Sequence, residues 1–213
     1  MTNKEILSHI DHTLLKADAS AEQIARLCEE AVIHHTASVC IPASYVRFAR
    51  EKFPELNICT VIGFPLGYST TAVKCFETED AVKNGADEID MVINLGDVKN
   101  GDLGAVESEI ASVKRTCGDK ILKVIIETCY LTREEKIALC GCVTRAGADY
   151  IKTSTGFGSA GAEIEDIRLF AEHIGENVRI KAAGGIRTRE DMERFLAEGC
   201  DRIGTSAARL LMN

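Results

Sequence analysis

The sequence predicts an α/β protein folded as a single-domain (β/α)8 TIM barrel. Eight short apolar runs alternate with longer stretches of helical spacing, the signature of repeated βα units. No linker or low-complexity segment interrupts the alternation. The chain's 213 residues also fall in the range of about 200–250 in which such barrels form one domain. Residues 1–213 are therefore read as one catalytic domain.

The elements follow in order. The first strand is expected over 9–14 (HIDHTL) and the first helix over 20–35. A β-branched run at 37–41 (ASVCI) gives the second strand, a helix follows over 43–52, and 57–62 (NICTVI) is the third strand. The helix over 70–84 ends in Asn84-Gly85-Ala86-Asp87, where glycine supplies the left-handed residue that stops a helix. Next come strand 88–93 (EIDMVI), helix 103–118 and strand 121–127 (ILKVIIE). The helix over 132–146 opens on Thr132-Arg-Glu-Glu135, a capping box, and closes on Ala146-Gly147-Ala148-Asp149. Strand 149–153 (DYIKT), helix 163–174, strand 178–182 (VRIKA) and helix 188–198 follow; Glu198-Gly199-Cys200-Asp201 repeats the glycine stop. Strand 201–204 (DRIG) and a helix over 206–212 complete the count. Dividing 213 residues by eight leaves about 26 per unit, of which a crossover needs at least about ten to twelve, so insertions should be few. An open doubly wound sheet would need a reversal point and a Gly-x-Gly-x-x-Gly turn after its first strand, and neither is visible.

A formal net charge of −8 works against polyanion binding, which excludes nucleic acid as the expected partner. The chain shows no apolar signal core and no 18-residue apolar run, so no membrane partner is expected and the location is read as cytoplasmic. Nine cysteines form an odd set whose one close pair is Cys140-Gly-Cys142, without zinc or thioredoxin spacing, and are read as reduced thiols. His9 and His12 should point to opposite faces, and His34-His35 ends a helix. No metal-ligand pattern emerges, and no metal is expected.

Barrel chemistry sits at the C-terminal ends of the strands. Side chains alternate along a strand, so an outward Ile151 turns Lys152 into the barrel, and an outward Ile180 turns Lys181 inward beside it. With Ile89 and Met91 outward, Asp90 points in, with Val92 and Asn94. Burial and a second ammonium both lower a lysine's pKa. At the ordinary value of about 10.4, only about one amine in 2,500 is neutral at pH 7. A pair of lysines thus suits one nucleophile and one charged neighbour. The alternative is a structural Lys–Asp pair, but two lysines against one aspartate leave an unbalanced buried cation, which a purely structural core avoids. Lys123 and Glu127 share a parity and are read as a supporting charge network. Cys40 could face inward as an ordinary core thiol.

Glycine-rich turns follow the last two strands, in Ala183-Gly184-Gly185-Ile186-Arg187 and Gly204-Thr205-Ser206-Ala207. At these positions barrels bind phosphate with backbone N–H groups and helix N-termini. Thr155-Gly156, after the sixth strand, could add a hydroxyl and another N–H.

Asp149-Tyr-Ile-Lys152-Thr-Ser-Thr155-Gly156-Phe157, Ile180-Lys181-Ala-Ala-Gly184-Gly185-Ile-Arg187-Thr188 and Glu88-Ile-Asp90-Met-Val-Ile-Asn94 resemble the signatures of the deoxyribose-phosphate aldolase family, as does Ile10-Asp11-His-Thr13-Leu-Leu. The resemblance implies reversible cleavage of 2-deoxy-D-ribose 5-phosphate to D-glyceraldehyde 3-phosphate and acetaldehyde, with no metal or organic cofactor. It makes Lys152 the Schiff-base lysine, Lys181 the lysine that depresses its pKa, and Asp90 the carboxylate that moves protons through water. Asp11, Thr13 and Cys40 match positions lining the same pocket. The expected partners are sugar phosphate and aldehyde substrates, with a homodimer left open. Two departures stand out: Phe157 replaces a phosphate-holding lysine of some relatives, and the chain ends Leu210-Leu-Met-Asn213 where some end in a tyrosine. The competing readings are a sugar-phosphate isomerase or epimerase and a catalytically silent sugar-phosphate sensor.

Overall fold

The structure, a computed structural model, describes residues 1–212. Asn213, the last residue of the tail compared above and of the 1–213 domain expectation, lies outside the described residues. Eight parallel strands close into a barrel in chain order. They are β1 (Ile10–Thr13), β2 (Ser38–Ile41), β3 (Ile58–Ile62), β4 (Glu88–Val92), β5 (Ile121–Ile125), β6 (Tyr150–Lys152), β7 (Arg179–Ala183) and β8 (Arg202–Thr205). Every expected strand forms, shifted by no more than about two residues at an end, which is the ordinary scatter of such boundaries.

Around them run α1 (Asn3–Leu7), α2 (Ala21–His34), α3 (Val46–Lys52), α4 (Thr71–Lys83), α5 (Leu95–Lys99), α6 (Leu103–Cys117), α7 (Arg133–Arg145), α8 (Ile164–His173) and α9 (Arg189–Ala197). Four differences from expectation are local. The helix expected over 206–212 is only a 3-10 turn at Ala208–Leu211, and the one over 43–52 begins with a 3-10 turn at Ala43–Tyr45. α1 was not anticipated, although Thr2 and Glu5 form a complete capping box ahead of buried Ile6 and Leu7. α5 is a one-turn insertion, started by the side chain of Asn94 accepting from the Gly96 N–H at 3.0 Å. Asn94 therefore caps a helix and does not line the barrel with Asp90.

The core lies between strands and helices. Outward Ile89, Met91, Ile151, Ala182 and Ile203 meet Ile110, Val113, Leu139, Val143, Ile167, Phe170 and Met192 in one buried cluster. Each such large side chain contributes about 1.5–3 kcal/mol of transfer free energy. The Gly-x-Asp repeat also gains a physical account. Gly85, Gly147 and Gly199 have φ of +107°, +75° and +103°, the left-handed stop that glycine tolerates. The aspartates then tie strands together: Asp87 accepts from Ile58 N–H of adjacent β3 at 3.0 Å, Asp149 from Leu122 N–H of adjacent β5 at 2.7 Å, and Asp201 reaches past β7 to the Tyr150 hydroxyl of β6.

Candidate active site

The inward faces of the strands carry a charged cluster. Lys152 and Lys181 are register partners on β6 and β7, and both Nζ atoms donate to the same oxygen, Oδ2 of Asp90, at 2.7 Å. Lys123 donates to the other oxygen of Asp90 at 2.8 Å and reaches Glu88 at 2.5 Å. Asp11 receives Lys181, Arg202 and the Ser38 hydroxyl, the last at 2.8 Å. Arg202 also bonds Glu88, and Asn57 donates to Glu88 at 2.7 Å. The expectation of two lysines against one aspartate is thus enlarged. Four cations (Lys123, Lys152, Lys181, Arg202) face three carboxylates (Asp11, Glu88, Asp90), leaving a surplus of one.

Burial alone would raise the carboxyl groups, but the cations outweigh it: Lys123, Lys152 and Lys181 hold Asp90 well below the usual carboxylate range, and Lys181, Lys123 and Arg202 do the same to Asp11. Burial likewise pulls Lys181 down, and Asp11 and Asp90 more than offset it, holding its ammonium above the ordinary lysine value. Lys123 is held high in the same way, chiefly by Asp90 against burial. Lys181 and Lys123 are fixed cations.

Two thiols join the cluster. Cys40 and Cys59 are register partners on β2 and β3; Cys59 Sγ donates to Asp90 at 3.1 Å, and the neighbouring Cys59 holds the Cys40 thiol below its usual range. Donor atoms of Cys40, Cys59 and Asp90 lie within 4.8 Å of one another, as do those of Asp11, Cys59 and Glu88. Neither cysteine nor histidine spacing along the chain displays these groups, which register between strands brings together. The Lys123 ammonium stands at this point, 3.3 Å from Cys59 Sγ.

Above the cluster opens a cavity of about 220 Å³ bordered by Lys152, Thr13, Thr155, Gly156, Gly184, Gly185, Gly204, Thr205 and Ser206. Asp11, Cys40, Asp90 and Lys181 do not border it. The sequence-based set therefore divides into a cavity wall and a buried charge layer, with Lys152 belonging to both. Residues 6–209 of the chain match the family described as DeoC/LacD family aldolase. The chain belongs to the DeoC/LacD aldolase family.

Two curated relatives of this aldolase are each called deoxyribose-phosphate aldolase. One, from Streptococcus pyogenes serotype M4, is 61% identical over 207 residues, covering 97% of this chain and 93% of the relative. The other, from Clostridium botulinum strain Alaska E43, is 60% identical over 209 residues, covering 98% and 95%. A crystal structure of a putative deoxyribose-phosphate aldolase from Coccidioides immitis superposes with a TM-score of 0.96 at 39% identity, covering 100% of this chain and 86% of that one.

Several details of the aldolase site correct the sequence reading. Glu127 does not join the lysine network; it lies beyond β5 and bonds Thr155 through both carboxylate oxygens. The Thr155 hydroxyl is thereby occupied, as is that of Thr205, which donates to Ile186 O at 2.7 Å. Gly204 serves the lysine below it: a Cβ there would lie 3.2 Å from Cε of Lys181. The Gly204–Ser206 turn leads into the 3-10 turn Ala208–Leu211 and not into the longer helix expected there. Lys16 and Arg187 border the cavity and were not assigned to it from sequence. Arg187 was signalled by its place just after the Gly184-Gly185 turn. Lys16 had no signal besides a cation following Thr13-Leu-Leu.

Proposed function

We propose that Lys152 is the Schiff-base lysine of this aldolase, with Lys181 as its charged neighbour and Asp90 as the carboxylate of proton transfer. The enzyme reversibly cleaves 2-deoxy-D-ribose 5-phosphate to D-glyceraldehyde 3-phosphate and acetaldehyde. One observation carries the assignment of roles: both lysines bond the same Asp90 oxygen, but only Lys152 borders the cavity.

The unprotonated Nζ of Lys152 attacks the C1 aldehyde of the open-chain sugar, and loss of water from the carbinolamine gives an iminium. Removal of the C3 hydroxyl proton then lets the C2–C3 electron pair move into the iminium, releasing glyceraldehyde 3-phosphate and leaving an enamine. Protonation at C2 and hydrolysis release acetaldehyde and restore the lysine. Asp90, kept ionised by its three lysines, accepts and returns protons through water. Lys181 stays charged throughout and disfavours a second ammonium beside it.

The phosphate is received by N–H groups at Gly156, Gly185 and Ser206, with the Ser206 hydroxyl, while Lys16 and Arg187 supply the charge that Phe157 lacks. Asp11 supports this site as the counter-ion of Lys181, and Cys40 as a neighbour of Asp90. A homodimer would cover the exposed Leu66, Tyr68, Val73 and Phe76; light scattering at twice the chain mass would support it, and a monomer would overturn it.

Lys152→Arg keeps the positive charge but cannot form the iminium. Acetaldehyde release from deoxyribose 5-phosphate should disappear while circular dichroism stays native. Turnover within about tenfold of wild type, a barrier change of only about 1.4 kcal/mol, would overturn the role of Lys152.

A further inference from the structure

We infer that Glu127 is a positioning residue that fixes the phosphate end of the substrate site by clamping the loop after β6. The inference rests on the phosphate placement proposed above. Glu127 is 3% exposed and stands in the left-handed region at φ +53°, which disfavours a non-glycine residue. Among the described residues no lysine, arginine or histidine forms an ion pair with it. A buried carboxylate without a cation must be held by hydrogen bonds, and both of its oxygens go to one residue. Oε1 accepts the Thr155 N–H at 3.1 Å and Oε2 accepts the Thr155 hydroxyl. That hydroxyl in turn accepts the Phe157 N–H at 3.0 Å.

The far end of the loop is pinned to the turn after β7. Ala162 N–H donates to Gly184 O at 3.0 Å, and a Cβ on Gly161 would lie 2.2 Å from that oxygen. Between the two anchors, Gly156 and Gly184 touch: a Cβ on Gly184 would lie 3.3 Å from the Gly156 Cα. The clamp thus sets where the two glycine turns meet, and both border the cavity. It also consumes the N–H groups of Thr155 and Phe157. The N–H groups of Gly156, Gly185 and Ser206, all on the cavity wall, have no internal partner among the described residues. These are the donors left for a phosphate, and Glu127 governs their placement without touching the substrate.

The test compares deoxyribose 5-phosphate with unphosphorylated 2-deoxyribose. Glu127→Ala should raise KM for the phosphorylated sugar about tenfold or more, the scale of losing hydrogen bonds to a charged acceptor. Its kinetics on 2-deoxyribose should be unchanged, and inorganic phosphate should inhibit 2-deoxyribose cleavage correspondingly less. Glu127→Gln keeps an acceptor for the Thr155 N–H and should fall between. Should Glu127→Ala fail to fold, Thr155→Val removes the hydroxyl alone and should show the same split, which Thr155→Ser restores. An equal loss on both sugars, or an unchanged KM, overturns the clamp. Borohydride trapping of acetaldehyde on Lys152, which involves no phosphate, should match wild type in every variant; its absence from wild type would overturn the Lys152 reading and leave the clamp to be judged on the two sugars.

Discussion

At the scale of single residues, the distinction between Lys152 and Lys181 governs the pH response. Lys181 is a fixed cation beside the nucleophile, so Lys181→Leu should move the acidic limb of the kcat/KM profile to higher pH and lower activity at pH 7. Each unit of movement corresponds to about tenfold less neutral amine. A limb that stays in place would show that the charge of Lys181 does not act on the nucleophile. Asp90→Asn keeps the shape but cannot carry a proton; KM should hold while kcat falls about 10²–10⁴-fold, the range of general acid–base catalysis. A change confined to KM would contradict that role. Phe157→Lys should lower KM for deoxyribose 5-phosphate, less so at high salt, and leave 2-deoxyribose unaffected. Equal effects on both sugars would place the phosphate elsewhere. Lys152, Lys181 and Asp90 were legible as inward because strand parity needs only the outward isoleucines and methionine as reference. Arg202, Glu88 and the true partner of Glu127 were not: they are joined across β4, β5, β6 and β8, and nothing local in the sequence announces such contacts.

Among elements, the helices around β4 rely on one enclosed ion pair. Lys74 of α4 is wholly buried and donates to Glu109 of α6 at 2.8 Å and to Val92 O, at the end of β4, also at 2.8 Å. Burial pulls the Lys74 pKa down, and Glu109 opposes it. Glu109→Gln leaves the ammonium without its carboxylate, and removing one partner of a buried pair typically costs about 3–5 kcal/mol. Urea unfolding should show a loss of that order, and a loss below about 1 kcal/mol would mean that the carbonyl of Val92 suffices. Element order was largely written in the sequence, because each strand carries an apolar run and several helices carry a box such as Thr132 to Glu135. What escaped was short: α1 and α5 span five residues each, too few to show a helical period. The final segment became a 3-10 turn because Ala208–Leu211 is one turn long.

Taken as a whole, the molecule encloses a charge cluster at the centre of a barrel, and its stability should depend on pH accordingly. Asp11 and Asp90 have depressed folded pKa values, so their contribution is present above the unfolded value of about 3.9 and is lost as pH falls toward the folded ones. Lys181 and Lys123 are raised; theirs is complete below about 10.4 and lost as pH rises through the folded values. The difference in unfolding free energy between wild type and Asp11→Asn should therefore be constant from about pH 5 to 9 and shrink below about pH 4. A difference already shrinking between pH 7 and 5 would contradict the depressed Asp11. The barrel itself follows from eight apolar runs in tight succession, whereas the cluster's closure depends on register between strands, which no run of sequence displays. The central claim is that chemistry passes through Lys152, and one measurement tests it most directly: borohydride reduction in the presence of acetaldehyde, followed by peptide mass spectrometry. The account predicts a reduced two-carbon adduct on Lys152 alone; an adduct on Lys181 or Lys123, or none, would contradict it.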